Sequence, residues 1–314
     1  MSDYLTYLYL LTPLHTGASS QEGNLMGIAR EVHTEFPYLP SSSLRGRIRA
    51  ELEKPRTDGE SDLSAAASNF FGKKIVDSSQ PTEGEVWFAD ATLLFFPIAS
   101  LSHHLVWITC PLWLERWCRW SAQPEKVSSI IQKCYNHFYT SQNPKSAVVS
   151  FPPNQLYLQT SIMQSKELVM EDFTDLNDLL TDLLGTPGLV TQLMKKVVVI
   201  TNEDCAALVE MGLQREVRVA LESDSKTVKG GSFRSEEAIP PEAIMFFPWG
   251  TKPPKPYRPQ EGDTNEPKLT AEEKQQQDET IRNTLKARLT SQRMQFGGLE
   301  SLGRGWSELV TEAR

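Results

Sequence analysis

The stretch from Thr12 to Arg49 constrains the fold more than any other part of this 314-residue chain. Before it lies Tyr4–Leu11, whose aromatic and β-favouring residues predict a first strand. A loop rich in Gly and Ser follows, and apolar residues then recur at helical spacing, at Leu44, Ile48 and Leu52. The stretch therefore predicts a strand end, a long loop and a helix with one buried face.

The start of that helix is a candidate anion site. Ser41, Ser42 and Ser43 offer caps and hydroxyl donors beside backbone N–H groups that have no partner within the helix. Arginines follow at alternate positions and suggest a basic face: Arg45, Arg47 and Arg49. From residue types alone, an ordinary capped helix with solvated arginines is the favoured interpretation.

Bulk composition fits a soluble globular protein, with 39% hydrophobic and 23% charged residues. The net charge of -8 argues against a protein that coats nucleic acid indiscriminately, but a local basic groove remains compatible with RNA binding. No apolar run is long enough to cross a bilayer, and the start lacks the features of a signal peptide. We therefore predict a cytoplasmic location without membrane contact. The cysteines have no CxxC spacing and are expected to be buried free thiols: Cys110, Cys118, Cys134 and Cys205.

A hairpin is predicted over Arg215–Glu237. Val217, Val219 and Leu221 alternate with less apolar residues, a turn follows at Ser223–Ser225, and a second strand returns. It carries the cationic residues Arg215, Arg218, Lys226 and Lys229. Without further information, a plain surface hairpin is the favoured interpretation.

Other segments predict mixed α and β structure. Strands are expected at 84–91, 93–96, 105–110 and 197–201, and amphipathic helices at 125–139 and 172–184, the latter ending at Gly185–Gly188. Asn202 or Asp204 is expected to cap the next helical turn. The segment 250–278 has few apolar residues and is expected to be a flexible insertion. Near the end, a glycine cluster would let backbone N–H groups approach a phosphate: Gly298, Gly303 and Gly305 around Arg304.

Several passages resemble one known family. They are TPLHTG at 12–17, REVHTEFP at 30–37, SSLRG at 42–46, GEVWFADA at 84–91 with Asp90 in a structural turn, CPLWLERW at 110–117, the hairpin and the glycine-rich end. Together they resemble the RAMP superfamily of CRISPR interference proteins. Within it they are most similar to the repeated backbone subunit of Cmr (type III-B) complexes.

The resemblance implies an α+β fold of modified ferredoxin-like (RRM) type, with helices on one side of an antiparallel sheet, a β-hairpin thumb and helical insertions. One domain would span 1–314, with a loop at the target-RNA cleavage position (12–40), a thumb region (202–241) and the insertion (250–278). The implied partners are crRNA, target RNA, further copies of the chain arranged head to tail, and other Cmr-type subunits. The predicted RNA-binding residues are Ser42, Ser43, Arg45, Arg47, Arg49, Arg218, Lys226, Lys229, Gly298, Gly303, Arg304 and Gly305.

The family's cleavage acid is expected five residues before the Arg-Glu pair, which here is Leu25. No aspartate occurs from Thr12 to Leu39, so target cleavage is expected to be lost or weak. Candidate catalytic residues are His15, Glu22 and Asn24, and Mg²⁺ or Mn²⁺ is expected only if cleavage occurs; no tightly bound cofactor or metal site is predicted. Two alternatives stay open: a metal-dependent endoribonuclease using His15 and Glu22, and a filament-capping or guide-processing subunit, which should lack a thumb.

Overall fold

A computed structural model describes residues 3–17, 21–22, 25–54, 67, 70–72, 84–159, 161–181, 187–229, 233–252, 271–290 and 292–313. Within these ranges the strands are β1 Asp3–Leu10, β2 Gln21–Glu22, β3 Leu25–Met26, β4 Val86–Phe88, β5 Thr92–Ser100, β6 His104–Thr109, β7 Ala147–Val149, β8 Leu156–Leu158, β9 Ser161–Met163, β10 Leu168–Met170, β11 Val197–Ile200, β12 Gln214–Arg218, β13 Arg234–Ala238, β14 Ile244–Thr251, β15 Gln292–Gln295 and β16 Trp306–Ala313. The α-helices are α1 Ser41–Leu52, α2 Pro111–Cys118, α3 Pro124–Tyr135, α4 Thr174–Thr181, α5 Pro187–Met194, α6 Asn202–Gly212 and α7 Ala271–Arg288.

The first strand lies inside the main sheet, third from one edge. Its neighbours β14 and β16 both run antiparallel to it, and the sheet order is β10-β7-β11-β6-β5-β14-β1-β16-β15, with β4 also on β14. Two pairs within this sheet, β11 with β6 and β10 with β7, are parallel. The predicted α+β class is confirmed, and the sheet is mixed where the resemblance implied a wholly antiparallel one.

Both faces of the sheet are covered. Side chains alternate along β1, so that Tyr4 and Leu8 join one buried cluster while Leu5 and Tyr7 join another. Helices α1, α6 and α7 contribute to the first cluster, and α3, α4 and α5 to the second. The expectation of helices on one side only is therefore wrong, because a strand with two apolar faces needs cover on each.

The buried face of helix α1 matches its prediction, but the start of the helix differs from it. Leu44, Ile48 and Leu52 are buried as predicted. The N-cap residue is Pro40, and no side chain of the helix caps it. Instead the backbone N–H of Ser41 donates to Asp90 Oδ1 at 2.7 Å. The serines are thus not the caps, and the helix start already holds a carboxylate supplied by a neighbouring turn.

Other boundaries differ modestly from the predictions. Helix α3 continues into a π-helical turn at Asn136–Thr140. Pro187 opens a helix at a position where a helix end was predicted, whereas Gly185 and Thr186 lie outside the described residues. Thr201, rather than Asn202 or Asp204, caps α6 through its hydroxyl. All four cysteines are free thiols, and Cys118 is only partly buried. Most of the predicted insertion, 253–270, lies outside the described residues.

We predict that Asp90→Ala lowers the free energy of unfolding by about 1 kcal/mol, because it removes the only described side-chain acceptor at the start of α1. Asp90→Asn should cost less, since its amide oxygen still accepts. Urea unfolding measures both, with Ser42→Ala at an exposed position as the control. A loss for Ser42→Ala as large as that for Asp90→Ala would contradict the assignment of the cap.

Candidate nucleic-acid interface

His15 lies where the first loop meets the strand that returns from the hairpin. Leu14 and Ile239 exchange two backbone hydrogen bonds, each 2.9 Å long, which brings His15 beside Glu237. The His15 side chain is buried, with 4% of the residue exposed. Gly298 covers the same residue, because its N–H donates to the His15 carbonyl at 2.8 Å.

The His15 imidazole has a defined orientation. Its Nδ1 is 2.8 Å from the carbonyl oxygen of Glu237. A carbonyl only accepts hydrogen bonds, so Nδ1 carries the proton and Nε2 of the neutral ring is an acceptor. Among the described residues Nε2 has no hydrogen-bond partner. The ring thus has one nitrogen fixed by the backbone and one left for chemistry or recognition.

The root of the hairpin is the paired segment of Gln214–Arg218 and Arg234–Ala238. One face of this root carries a ring of ion pairs. Arg30 Nη2 donates to Glu237 Oε2 at 2.9 Å, and Arg30 Nη1 donates to Glu210 Oε2 at 2.6 Å. Arg215 completes the ring by binding Glu237 at 3.0 Å and also Glu210. The hydrogen bond to Glu237 raises the pKa of Arg215. The ring joins the first loop, α6 and both hairpin strands.

The opposite face of the root carries a second charge cluster. Arg304 Nη2 donates to Glu216 Oε2 at 2.5 Å and lies 3.5 Å from Glu236 Oε2, while Arg218 Nε is 2.9 Å from Glu236 Oε1. The hydrogen bond from Arg304 lowers the pKa of Glu216. Arg304 is buried in this cluster, where it joins the glycine-rich end to the hairpin. Its RNA contact stays a prediction.

The outer half of the hairpin is exposed. Strands β12 and β13 pair antiparallel as predicted, and the bridge between Leu221 and Val228 extends the hairpin. Lys226 and Lys229 lie exposed near its tip, which suits the predicted RNA contact but does not test it. Gly230–Ser232 lie outside the described residues. Exposed large apolar side chains lie along the hairpin from its root outward: Val217, Val219, Leu221, Val228 and Phe233.

Arg47 does not share a face of α1 with Arg45 and Arg49, because residues two apart point to different sides of a helix whereas residues four apart point to the same side. Arg45 donates to the carbonyls of Val86 at 2.9 Å and Phe71 at 2.8 Å. Burial and the charge of Arg49 lower the pKa of Arg45.

The other two arginines also have partners within the chain. Arg49 pairs with Glu53 at 2.9 Å, and Arg47 lies 3.5 Å from Glu51 and 3.8 Å from Glu300. Ser42 is exposed beside these side chains, and Ser43 is half-buried. RNA contacts by this helix stay a prediction.

The glycine-rich end packs against the first loop. The N–H of Gly305 donates to the Pro13 carbonyl at 2.8 Å, and that of Gly303 to the Glu300 carbonyl at 2.9 Å. Gly305 has φ +79°, and a Cβ there would lie 1.8 Å from the Phe296 oxygen. These N–H groups, like that of Gly298, are used within the chain. Close backbone approach requires glycine at Gly305, whereas Gly303 has open space around it and a φ of +74°. RNA contacts by these glycines stay a prediction.

The expected cleavage position lies against the hairpin root. Leu25 pairs with Ser235, and Met26 with Glu236, in the parallel pair β3–β13. Asn24 lies outside the described residues, and at Glu22 only the backbone is described. Their catalytic roles, like that of His15, stay predictions.

The sequence predictions missed the acidic residues of the root. Glu210, Glu236 and Glu237 were not singled out, although arginines and glutamates crowd 215–218 and 234–237 and such crowding in paired strands indicates cross-strand ion pairs. Within the described ranges, His, Cys, Asp and Glu side chains form no group of three or more suited to a metal ion. No helix built from those residues is long and apolar enough to cross a bilayer.

Glu31, the second residue of the Arg-Glu pair, anchors the first loop to α2. It accepts from Arg116 at 2.6 and 2.8 Å and also from the Thr34 hydroxyl. Burial alone would raise its pKa, but the Arg116 and Thr34 hydrogen bonds outweigh this and lower it. A lowered pKa means that ionised Glu31 stabilises the fold above the unfolded-state pKa, and this contribution is lost as the pH falls through the folded-state value.

We therefore predict that Glu31→Gln destabilises the protein by about 1–2 kcal/mol at neutral pH and by progressively less as the pH falls below about 4.5. Urea unfolding across this range measures the difference. Glu222→Gln, at an exposed hairpin position, is the matched control. A difference that stays constant with pH would contradict the role of the Arg116 pair.

Comparison with known proteins places these features in a family. The model of the RAMP superfamily matches residues 7–308. The CRISPR system Cmr endoribonuclease Cmr4 of Pyrococcus furiosus is 23% identical over 252 residues, covering 78% of this chain and 80% of that protein. Oligomeric Cmr4 from Pyrococcus furiosus has a similar fold, with TM-score 0.63 at 20% identity over 100% of this chain and 99% of that one. A chain of the type III-B Cmr-beta complex bound to cognate target RNA gives TM-score 0.67 at 17% identity, over 98% and 96%. The chain therefore belongs to the RAMP superfamily.

Proposed function

We propose that this chain is a guide-binding backbone subunit of a type III CRISPR interference complex. It assembles head to tail along the crRNA and holds target RNA, together with other Cmr-type subunits. The likeness to Cmr4 over nearly the whole length of both chains supports this function. We place it in the cytoplasm, where guide and target RNA are available.

The observation that carries the proposal is the exposed hairpin. Its root is held by ion pairs to the buried carboxylate of Glu237, whereas Val217 is 67% exposed and Phe233 53% exposed. A two-stranded hairpin with an uncovered apolar face is marginally stable by itself and gains by being covered in an assembly. Repeated subunits that cover each other's hairpins form a heterologous interface, which extends as a filament when the rotation does not close.

We predict that the protein forms guide-dependent oligomers whose maximum size grows with guide length, measured by mass photometry. The double variant Val219→Asp, Leu221→Asp should reduce this assembly at least about tenfold, because it places charges on the apolar face. Leu101→Asp is the control, since Leu101 is 89% exposed at a separate hairpin. Equal assembly by wild type and the double variant would refute the role of the hairpin, and absence of any guide-dependent assembly would refute the proposed function.

We further propose that this subunit holds target RNA without cutting it. Leu25 stands at the expected position of the acid, and an alkyl side chain neither binds a metal ion nor accepts a proton. The Glu31 carboxylate is already bound by Arg116 and by the Thr34 hydroxyl.

The second candidate function is a metal-dependent endoribonuclease. The unpaired Nε2 of His15 favours it, and Glu22 would supply the carboxylate with Mg²⁺ or Mn²⁺. A filament-capping subunit is the less favoured alternative, because such a subunit should lack a thumb and the hairpin is present.

Target cleavage by the assembled complex separates these functions. With Mg²⁺ or Mn²⁺ present, we expect guide-paired target to be bound and to stay uncut, and His15→Ala and Glu22→Ala to leave that result unchanged. Denaturing electrophoresis of end-labelled target gives the readout, and an unguided RNA of equal length is the control. Regularly spaced products that disappear in either variant would establish the second candidate.

A further inference from the structure

Arg30 holds three parts of the molecule together. Its guanidinium donates to Glu237 of the returning hairpin strand, to Glu210 of α6 and, at 3.4 Å, to the carbonyl of Glu35 in its own loop. Glu237 has only 3% of its side chain exposed, so its charge depends on the two arginines beside it. Arg215, the other partner, is half exposed.

Glu237 connects this ion-pair ring to His15. Its carboxylate lies in the ring, and its backbone carbonyl accepts from His15 Nδ1 at 2.8 Å. A shift of this residue along or across the strand would therefore remove the acceptor that fixes the imidazole. His15 is also confined by Gly298, where a Cβ would lie 3.4 Å from the ring carbon Cδ2.

Within the described residues, the outer half of the hairpin is not held to the rest of the chain by buried apolar contacts. The large apolar residues of its outer half are exposed, so the root bears the contacts that orient the hairpin. On the Glu237 face these contacts are the ion pairs of Arg30 and Arg215. The position of the hairpin and the orientation of His15 thus share one support.

We propose that Arg30 is a positioning residue that couples the hairpin to His15 through Glu237. This inference rests on the proposed function. A neighbouring subunit or an RNA that holds the hairpin in place also fixes which nitrogen of the His15 imidazole is protonated and how the ring is oriented at the RNA-binding face. Arg30 touches neither RNA nor a reacting atom in this scheme. It acts through the strand that carries Glu237.

The test needs no RNA. Protein labelled with ¹⁵N-histidine reports the protonated nitrogen of each of the 5 histidines by long-range NMR correlation, and His15→Gln assigns the signal. Hydrogen exchange followed by mass spectrometry reports opening of Gln214–Arg218. The variants are Arg30→Ala and Arg30→Lys, with Arg119→Ala as the control, since Arg119 is exposed and its loss changes the net charge equally.

In the wild type we expect His15 to be protonated at Nδ1. Arg30→Ala should lose this single tautomer and raise amide exchange in Gln214–Arg218 at least about tenfold, while Arg119→Ala does neither. Arg30→Lys should restore part of each effect, because a lysine keeps the charge without the forked geometry. Glu237→Gln combined with Arg30→Ala should give less than the sum of the single effects.

A variant that melts earlier but keeps the wild-type His15 tautomer and hairpin exchange would overturn the proposal, because Arg30 would then be only a stabilising residue. If Arg30→Ala does not fold, Arg30→Lys decides by the same two readouts. Failure of the wild type to bind guide RNA would refute the proposed function and leave these measurements unaffected.

Discussion

Two buried carboxylates at the root of the hairpin, Glu236 and Glu237, determine how the rest of the site is arranged. The two side chains lie on opposite faces of β13, and each contacts arginines from other elements. A buried carboxylate without such partners is strongly unfavourable, so the hairpin root has few alternative positions. These ion pairs, together with the β3–β13 pairing, therefore hold a hairpin whose outer half lacks apolar packing.

The opposite side of the site is fixed by backbone contacts. The glycine-rich end lies directly on the first loop, where the carbonyls of Pro13 and His15 accept from Gly305 and Gly298. Any side chain at Gly305 would collide with Phe296. His15 thus stands between the glycine-rich end on one side and a strand held by ion pairs on the other.

Much of the fold could be predicted from the sequence because it depends on local patterns. Alternation predicted β1 and the hairpin, and helical spacing predicted the buried face of α1. The resemblance predicted the superfamily. The roles of individual charges could not be predicted in this way, because a sequence shows which cations are present but not which carbonyls and carboxylates the fold brings to them. Arg304 and Arg45 have partners within the chain that are distant in sequence, and the cap of α1 comes from Asp90, about 50 residues away.

The exposed apolar side chains of the hairpin also bear on how such a protein is produced in a cell. A subunit that displays a strand pair with Val217, Leu221 and Phe233 uncovered carries an adhesive surface from the moment it leaves the ribosome. On the proposed function, copies made in excess of guide RNA would adhere to one another without register. The surface proposed to build an ordered filament would then also limit how much unassembled subunit stays in solution.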